Sequence, residues 1–253
     1  MRFASLGSGS KGNATLVATA TTLVMIDCGF SARQATLRME RLGVHPEDLD
    51  AILVTHEHSD HSSGVAGLSR KYRVPVYMTH GTASTGRVDN AHSVFRFNSG
   101  SEFTVGDLSI TSVPVPHDAR EPCQYRLVNG KSSLGVLTDL GSITTHVIDS
   151  FHGCDGMVLE FNHDLEMLEN GDYPPALKRR VGGNWGHLNN RQAAEFLRAI
   201  DSERLRHLVV AHISENNNCR ERAEQALNSV LEPADERVVW AEQNTGFGWL
   251  VLV

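Results

Sequence analysis

The chain has 253 residues, of which 40% are hydrophobic and 21% charged, and its formal net charge is −7. This length and composition are typical of a layered α/β globular protein, and we expect residues 1–253 to form a single domain in the cytoplasm. No apolar run approaches the roughly 18 residues of a membrane helix, the first residues lack the pattern of a signal peptide, and the acidic balance argues against a protein that coats nucleic acid through bulk positive charge.

The first element is a short strand, MRFASL, followed by the segment GSGSKG at residues 7–12, which fits the G-x-G-x-x-G pattern of a dinucleotide-binding turn. Such a turn must open a helix, but the next segment, NATLVATATTLVMID, is rich in Thr and Val and favours strands. The glycines are therefore expected to join the first strand to the second. We expect residues 8–13 to form a flexible rim whose backbone N–H groups, Ser10, Lys11 and Asn13 contact a substrate phosphate, with a plain tight connection as the alternative.

Strands and helices are mixed along the rest of the chain. Apolar residues at spacings of three and four predict helices in five segments: SARQATLRMERLG, HSSGVAGLSRKY, SITTHVIDSF, NRQAAEFLRAI and CRERAEQALNSVL. The closing segment, RVVWAEQNTGFGWLVLV, returns to strands. Two strand-rich blocks with helices between and after them predict two sheets covered by helices.

Several short apolar runs end in a histidine or a carboxylate, as in a buried strand whose carboxyl end presents that side chain. The runs are DAILVTH ending on His56, SITSVPVPH on His117, SLGVLTD on Asp139, GMVLEFNH on His163 and LRHLVVAH on His212. These side chains are expected to converge along one edge of a sheet. A sixth run, VPVYMTH, ends on His80 and shows that the pattern alone overcounts. The four cysteines form no C-x-x-C pair, so neither a thiolate zinc site nor a disulfide framework is indicated.

The strongest single signal is THEHSDH at residues 55–61. His56 and His58 project to the same side of an extended chain and can share one metal ion, whereas Asp60 and His61 follow a turn and can reach a second. The alternative is a polar turn that is rich in histidine by chance. The isolated strand-end ligands at positions 117, 139 and 212 disfavour that alternative.

The pattern H-x-H-x-D-H after an apolar strand, then a lone His, a lone Asp and a final His that each close a strand, resembles the metallo-β-lactamase superfamily. Within it, LGSGSKGN, NHDLEML, YPPALKRRV, GHLNN and AHISENNN resemble the YycJ (WalJ) group, whose members act as nucleases on DNA. The resemblance covers nearly the whole chain. It implies an α+β fold, an αββα sandwich of two mixed β-sheets flanked by helices, with a dinuclear metal site between the sheets.

The resemblance also implies a ligand set for two divalent metal ions. One ion is expected on His56, His58 and His117 and the other on Asp60, His61 and His212, with Asp139 bridging them. These nitrogen and oxygen donors suit zinc, manganese or iron. Two ions would leave the site locally positive in an acidic chain, and so able to attract a phosphodiester. Penicillin-cleaving relatives generally carry a cysteine at the bridging position, so the aspartate argues against antibiotic hydrolysis, although it does not separate phosphodiesterases from thioesterases.

Two adjacent ions imply a metal-bridging hydroxide as the nucleophile. Asp60 is expected to orient the attacking water. His187, in a Gly-His step that resembles the proton-donating motif of phosphodiesterase relatives, is expected to protonate the leaving oxygen, and a helix cap is its alternative role. Asp27, which closes the strand LVMID, is expected to orient metal ligands without binding metal.

Two further segments are candidate substrate contacts. Asn162 and His163 are expected to touch phosphate or the surroundings of the metal, with a helix-capping pair as an equal alternative. Lys178 and Arg179, with the neighbouring Arg180, form the only compact basic run and are predicted to grip a nucleic-acid backbone, although most such runs are solvated faces.

The sequence therefore predicts a two-metal hydrolase acting on DNA, with 5′-to-3′ exonuclease action implied by the resemblance alone. The alternatives are an enzyme for small or cyclic phosphodiesters, a thioester hydrolase of the glyoxalase type, and a non-catalytic regulatory member, which the complete ligand set disfavours. RNA is a weaker candidate, because the chain lacks room between Asp139 and His212 for the inserted domain of ribonuclease J-type enzymes.

Overall fold

Fourteen strands form two seven-stranded sheets in the computed structural model, which describes residues 1–253. Numbered along the chain, the first sheet contains β1 (Arg2–Gly7), β2 (Ala14–Ala18), β3 (Leu23–Ile26), β4 (Ala51–Leu53), β5 (Val76–Thr79), β6 (Val94–Phe97) and β14 (Phe247–Val251). The second contains β7 (Glu102–Val105), β8 (Leu108–Pro114), β9 (Cys123–Asn129), β10 (Ser132–Leu137), β11 (Gly156–Glu160), β12 (His207–Ala211) and β13 (Val238–Trp240).

Both sheets are mixed. Their spatial orders are β14-β1-β2-β3-β4-β5-β6 and β13-β12-β11-β10-β9-β8-β7. Strands β3 to β6 run parallel in the first sheet and β10 to β13 in the second, while the other neighbouring strands are antiparallel. Strands β1 and β2 pair directly, which confirms that the glycine-rich segment joins two strands and opens no dinucleotide-binding helix.

Nine α-helices lie between and after the strands. They are α1 (Ala32–Arg41), α2 (Ser59–Ser62), α3 (Val65–Tyr72), α4 (His80–Ser84), α5 (Thr145–Phe151), α6 (Leu165–Asn170), α7 (Pro175–Val181), α8 (Asn190–Ala199) and α9 (Arg220–Leu227). All five predicted helical segments contain a helix, although the segment at residues 61–72 is divided between the end of α2 and α3. No helix has both the length and the apolar character needed to cross a bilayer.

The two sheets pack face to face, and helices cover both outer faces. Strand β3 shows how the sequence produces these layers, since its alternate residues enter different cores. Val24 and Ile26 join the core between the sheets, whereas Met25 packs with Met39 of α1 on the outer face. On the other side, α5, α8 and α9 pack against the outer face of the second sheet. The predicted αββα arrangement is therefore confirmed.

The carboxyl ends of the parallel strands meet at one edge of the sandwich, where open α/β sheets generally bind ligands. A hydrogen bond connects the two sheets there. The hydroxyl of the buried Tyr125 in β9 donates to the carbonyl of Val54, just after β4, at 2.7 Å. This bond fixes the position at which the THEHSDH segment leaves the first sheet.

The THEHSDH turn also packs against the loop after β3 without room for a side chain at Gly29. A Cβ built on Gly29 would lie 1.8 Å from the Asp60 carbonyl oxygen, and the neighbouring Cys28 N–H donates to the His61 carbonyl at 2.7 Å. The backbone that carries two predicted metal ligands is thus fixed by a close approach that only glycine allows.

Gly29→Ala is expected to lower the free energy of unfolding by about 2 kcal/mol or more, because the added methyl group forces two packed loops apart. The decrease should appear as a lower urea midpoint with an unchanged m-value. Gly248→Ala is the matched control, because a Cβ at Gly248 would meet nothing within 4 Å, and its effect should stay within about 0.5 kcal/mol. Equal stability of the two variants would contradict the packing argument.

Candidate metal centre

The first donor cluster consists of three histidines from both sheets. His56 and His58 lie between β4 and α2, and His117 follows β8. Their ring centroids are 4.5 to 5.0 Å apart, and one ring nitrogen from each lies within 4.8 Å of the other two. His117 Nε2 and His58 Nδ1 are separated by 3.3 Å. The structure therefore brings these three predicted ligands together at ligand-like separations.

The other ring nitrogen of each histidine has a partner that fixes its orientation. Thr55 Oγ1 lies 2.9 Å from His56 Nδ1, the Gly186 carbonyl lies 2.9 Å from His117 Nδ1, and the Asp118 carbonyl lies 3.2 Å from His58 Nε2. Such outer partners set the tautomer and ring position of histidines that bind metal. They leave His56 Nε2, His58 Nδ1 and His117 Nε2 to face one another.

A second cluster lies beside the first and contains Asp60, His61, Asp139 and His212. Asp139 Oδ2 lies 3.1 Å from His61 Nε2, and Asp60 Oδ2 lies 3.4 Å from His61 Nε2 and 3.7 Å from His212 Nε2. The rings of His56 and His61 are 4.3 Å apart, so the two clusters are in contact. Asp139 groups with the second cluster and not with the first, and its bridging role stays a prediction.

Two buried carboxylates contact the Nδ1 atoms of the two histidines in the second cluster. Asp27 Oδ2 lies 2.8 Å from His61 Nδ1, and Glu160 Oε1 lies 3.0 Å from His212 Nδ1. The expectation for Asp27 thus agrees with its position. Glu160 is not among the predicted residues. The sequence pattern extends this strand to His163, whereas the strand ends three residues earlier, at Glu160.

Three residues at this edge adopt left-handed backbone conformations that are unusual outside glycine. Asp27, Asp139 and His212 have φ values of 60°, 56° and 51°, and each lies one or two residues after the end of a strand. Strained backbone of this kind persists where the surrounding structure fixes it, and it concentrates at functional sites. Here it turns each side chain back over the strand ends, toward the two clusters.

The second cluster carries an excess of buried negative charge. Burial alone would lower the pKa of His61, but Asp139 and two further carboxylates hold it well above its ordinary value. Asp139 likewise raises the pKa of His212 to about 10 against the effect of burial. The pKa of Asp139 itself is held well below its ordinary range by His212 and His61, although burial opposes this shift. These carboxylates thus favour positive charge beside them, which a divalent cation can supply.

The donor set fits a metal ion. None of the four carboxylates at this edge, the buried Asp27, Asp139 and Glu160 and the partly exposed Asp60, accepts a hydrogen bond from a lysine or arginine. The buried His56 Nε2 has no hydrogen-bond partner, and Asp139 Oδ2 has only the ring nitrogen of His61 near it, at 3.1 Å. A buried polar atom without a partner is costly unless an ion or water satisfies it. The residues present are therefore suited to bind metal ions.

His187 lies beside the second cluster and faces the cavity above it. Its Nδ1 is 2.7 Å from Glu160 Oε1, and its ring centroid is 5.3 Å from those of both His117 and His212. The carboxylate of Glu160 raises the pKa of His187, although burial alone would lower it. The helix-cap alternative for His187 is wrong, because Asn189 caps α8 by accepting from the Gln192 N–H at 2.9 Å.

A polar cavity of about 300 Å³ lies over both clusters. His58, Asp60 and His187 line it from below, and Arg87 and Arg180 are among the residues at its sides. The guanidinium of Arg180 is paired with Asp118, whereas Arg87 makes no ion pair or hydrogen bond. The cavity thus combines metal-binding donors with one unpaired cation, a combination that suits an anionic substrate.

The glycine-rich segment differs from the flexible rim that was expected. The Gln243 side chain clamps it by accepting from the Lys11 N–H at 2.7 Å and donating to the Gly12 carbonyl at 3.0 Å. Asn13 is buried, with Nδ2 3.1 Å from His61 Nε2 and 3.4 Å from Asp60 Oδ2, so it contacts predicted metal ligands. The Lys11 ammonium lies 2.6 Å from Glu215.

Most of the backbone N–H groups in this segment are also occupied. Those of residues 8, 9, 11, 12 and 13 donate within the protein, so the expectation that they meet a phosphate is wrong for these five. Ser10 is exposed and lines the cavity, and it remains a candidate substrate contact.

Asn162 and His163 have different surroundings. Asn162 lines the cavity, and its Nδ2 donates to the His212 carbonyl at 3.1 Å. His163 is fully buried, neither ring nitrogen has a partner, and burial lowers its pKa to about 4. The capping alternative is wrong for both, because Asp164 caps α6 by accepting from the Met167 N–H at 3.0 Å.

The three basic residues of α7 differ in whether they line the cavity. Lys178 donates to the Glu169 carbonyl at 2.7 Å, and neither Lys178 nor Arg179 lines the cavity. Arg180 does so, because successive helical residues point in different directions. A nucleic-acid contact by Lys178 and Arg179 stays a prediction, and it would lie outside the cavity.

Comparisons with known proteins agree with this fold and site. A family model described as a beta-lactamase superfamily domain matches residues 22–213. The chain is 35% identical over 241 residues to a Streptococcus pneumoniae protein named exodeoxyribonuclease WalJ, and 36% identical over 236 residues to a Bacillus anthracis protein named exodeoxyribonuclease YycJ. Each match covers 92% of this chain and 89% of the relative.

Among solved structures, the metallo-β-lactamase fold protein YhfI from Bacillus subtilis superposes with a TM-score of 0.75 at 18% identity, over 99% of both chains. At this identity the likeness concerns the fold alone. The family model and the two relatives match in sequence as well, which indicates common ancestry. The family resemblance predicted from the short motifs is therefore confirmed. The chain belongs to the metallo-β-lactamase-fold family of the beta-lactamase superfamily.

Proposed function

We propose that this chain is an exodeoxyribonuclease that hydrolyses DNA phosphodiesters with the help of two divalent metal ions. The observation that carries the proposal is the pair of donor clusters under one polar cavity, with His56 Nε2 buried and without a hydrogen-bond partner and Asp139 Oδ2 facing the ring nitrogen of His61 at 3.1 Å. The choice of DNA as the substrate is supported by the two exodeoxyribonuclease relatives, each of which aligns with 92% of the chain.

The proposed ligands are those of the two clusters. They are His56, His58 and His117 for one ion, and Asp60, His61 and His212 for the other, with Asp139 shared. Zinc, manganese and iron all suit this mixture of nitrogen and oxygen donors. Two such ions would lower the pKa of a water molecule and neutralise charge on phosphate oxygens.

Residues around the cavity would position the other reacting groups. Asp60, which lines the cavity, is proposed to accept a hydrogen bond from the attacking water and so orient it. His187 is proposed to protonate the leaving oxygen, because Glu160 holds its Nδ1 and the ring lines the cavity. Arg87 and Ser10 are proposed to contact phosphate oxygens, because both line the cavity and neither side chain is paired.

The test is hydrolysis by the purified protein supplied with manganese or zinc. Linear DNA labelled at either end, the matching RNA, covalently closed circular DNA, a bis-aryl phosphodiester and a thioester would be compared. We expect linear DNA to be shortened from its ends, with release from the 5′ end for 5′-to-3′ action, and the closed circle to remain intact. Addition of a chelator should abolish cleavage.

A second candidate function is hydrolysis of a small phosphodiester. The cavity volume of about 300 Å³ favours it, since this value lies at the lower limit for small-molecule pockets. Ready cleavage of the bis-aryl phosphodiester with linear DNA left intact would replace the nuclease proposal with this one.

A further inference from the structure

Trp185 is unusually exposed for a tryptophan. Its side chain is 64% exposed, more than any other large apolar residue except the chain-terminal Val253, and its indole makes no hydrogen bond. Exposed apolar side chains occur singly on most proteins, so exposure alone carries no function. The position of Trp185 in the fold is the second observation.

The loop that carries Trp185 is held in place on both sides. Within it, the Gly186 N–H donates to the Gly183 carbonyl and the His187 N–H to the Val181 carbonyl, both at 2.8 Å. Across it, a Cβ on Gly141 would lie 2.4 Å from Gly186 N, so the backbones touch. The exposed indole is therefore presented by a fixed backbone, and a ligand that contacts it need not order the loop first.

This loop also forms one wall of the candidate metal centre. The Gly186 carbonyl lies 2.9 Å from His117 Nδ1, and His187 lines the cavity. The Cα atoms of Trp185 and His187, two residues apart, can be separated by at most about 7 Å. Trp185 does not itself line the cavity, but its backbone borders the wall that His187 forms.

Arg87 is the one unpaired cationic side chain that lines the cavity. The chain carries a net charge of −7, Arg180 is paired with Asp118, and Lys11, which follows the cavity-lining Ser10, is paired with Glu215 at 2.6 Å. Stacking of a base on an aromatic ring does not depend on net charge, and every nucleobase offers a flat face for it. An exposed indole near the cavity would add affinity that does not depend on Arg87 or on the net charge.

We infer that Trp185 is a stacking platform for a nucleobase of the nucleotide next to the bond that is cleaved. The inference rests on the proposed function, because it requires a nucleic-acid substrate. Trp185 would act in substrate binding and take no part in the chemical step.

The test compares matched oligonucleotides that differ only by an abasic site next to the scissile bond. With the metal-loaded wild-type protein, the abasic site should reduce kcat/KM about 5- to 150-fold, the range for losing one stacked base. Trp185→Ala should reduce kcat/KM by a similar factor on the normal oligonucleotide, mainly through KM. The same variant should lose nothing further on the abasic one.

Further variants separate stacking from simple packing. Trp185→Phe should retain most of the activity and Trp185→Leu should behave like Trp185→Ala, because phenylalanine keeps a ring and leucine does not. Leu37→Ala removes another exposed apolar side chain, 46% exposed on α1, and should change nothing. Stopped-flow mixing of the metal-loaded protein with the normal oligonucleotide should quench tryptophan fluorescence in the wild type but not in Trp185→Phe, which keeps Trp240 and Trp249.

The possible failures are distinguishable. An equal loss for Trp185→Ala on normal and abasic oligonucleotides, or quenching that persists in Trp185→Phe, would overturn the stacking inference and leave the nuclease proposal standing. A wild-type protein that cleaves a bis-aryl phosphodiester but no oligonucleotide would instead overturn the proposed function, and the inference with it.

Discussion

Asp139→Ala is expected to reduce DNA hydrolysis at least about a thousandfold, because the loss of several kcal/mol of metal-based stabilisation corresponds to that factor. One carboxylate here serves three histidines. Its Oδ2 lies 3.1 Å from His61 Nε2, and its Oδ1 lies 3.4 Å from His212 Nδ1 and 3.6 Å from His187 Nδ1. Its removal takes away an anionic donor, so metal content, measured by elemental mass spectrometry, should fall from two ions per chain toward one.

Two controls make this result interpretable. Asp139→Asn keeps the shape of the side chain and tolerates the φ of 56°, so it removes the charge without adding backbone strain. It should lose activity and metal as Asp139→Ala does. Asp149→Ala removes an exposed aspartate of α5 and should match the wild type in both measurements. Wild-type turnover by either Asp139 variant would refute the dinuclear proposal.

The three isolated predicted ligands could be located in the sequence because each follows a buried strand by one to three residues. His117, Asp139 and His212 are far apart in the chain, yet the parallel and antiparallel pairings of β8, β10 and β12 place their ends at one edge. Local apolar runs predict buried strands, and buried strands of one sheet end side by side. Long-range proximity could thus be predicted from a local pattern.

Glu160 shows where this reasoning fails. The run MVLEFNH stays compatible with a strand as far as His163, whereas pairing with β12 ends at Glu160, opposite Ala211. The end of a strand is decided by its neighbours, which a single local segment does not specify. The carboxylate that supports both His187 and His212 was therefore missed.

The expectation that the glycine-rich segment is a flexible rim fails for a related reason. Its apparent freedom came from its composition, but the clamp on it is Gln243, which lies 232 residues from Lys11 in the chain. Nothing within residues 7–13 indicates that partner. The basic run at α7 is similar, since the packing of α7 decides which of its residues face the cavity, and of the three basic residues only Arg180 does.

His187→Ala is expected to lower kcat on DNA by about 10²- to 10⁴-fold, the usual contribution of a general acid. The reason is geometric, because His187 lines the cavity while Glu160 Oε1, 2.7 Å from its Nδ1, fixes the ring. Glu160→Gln should cause a smaller loss, about 10- to 100-fold, as expected for a group that orients another. Both effects would be measured as single-turnover rates on labelled linear DNA.

The identity of the leaving group decides whether His187 acts as an acid. A nitrophenolate departs without a proton, so His187→Ala should affect a bis-nitrophenyl phosphodiester far less than DNA. Metal content is the necessary control, since Asp139, Glu160, His187 and His212 also lie within ligand-like distances of one another. Equal losses on both substrates, together with reduced metal content, would make His187 a metal ligand. Unequal losses with both ions retained would assign the proton transfer to His187, because only the DNA leaving group requires it.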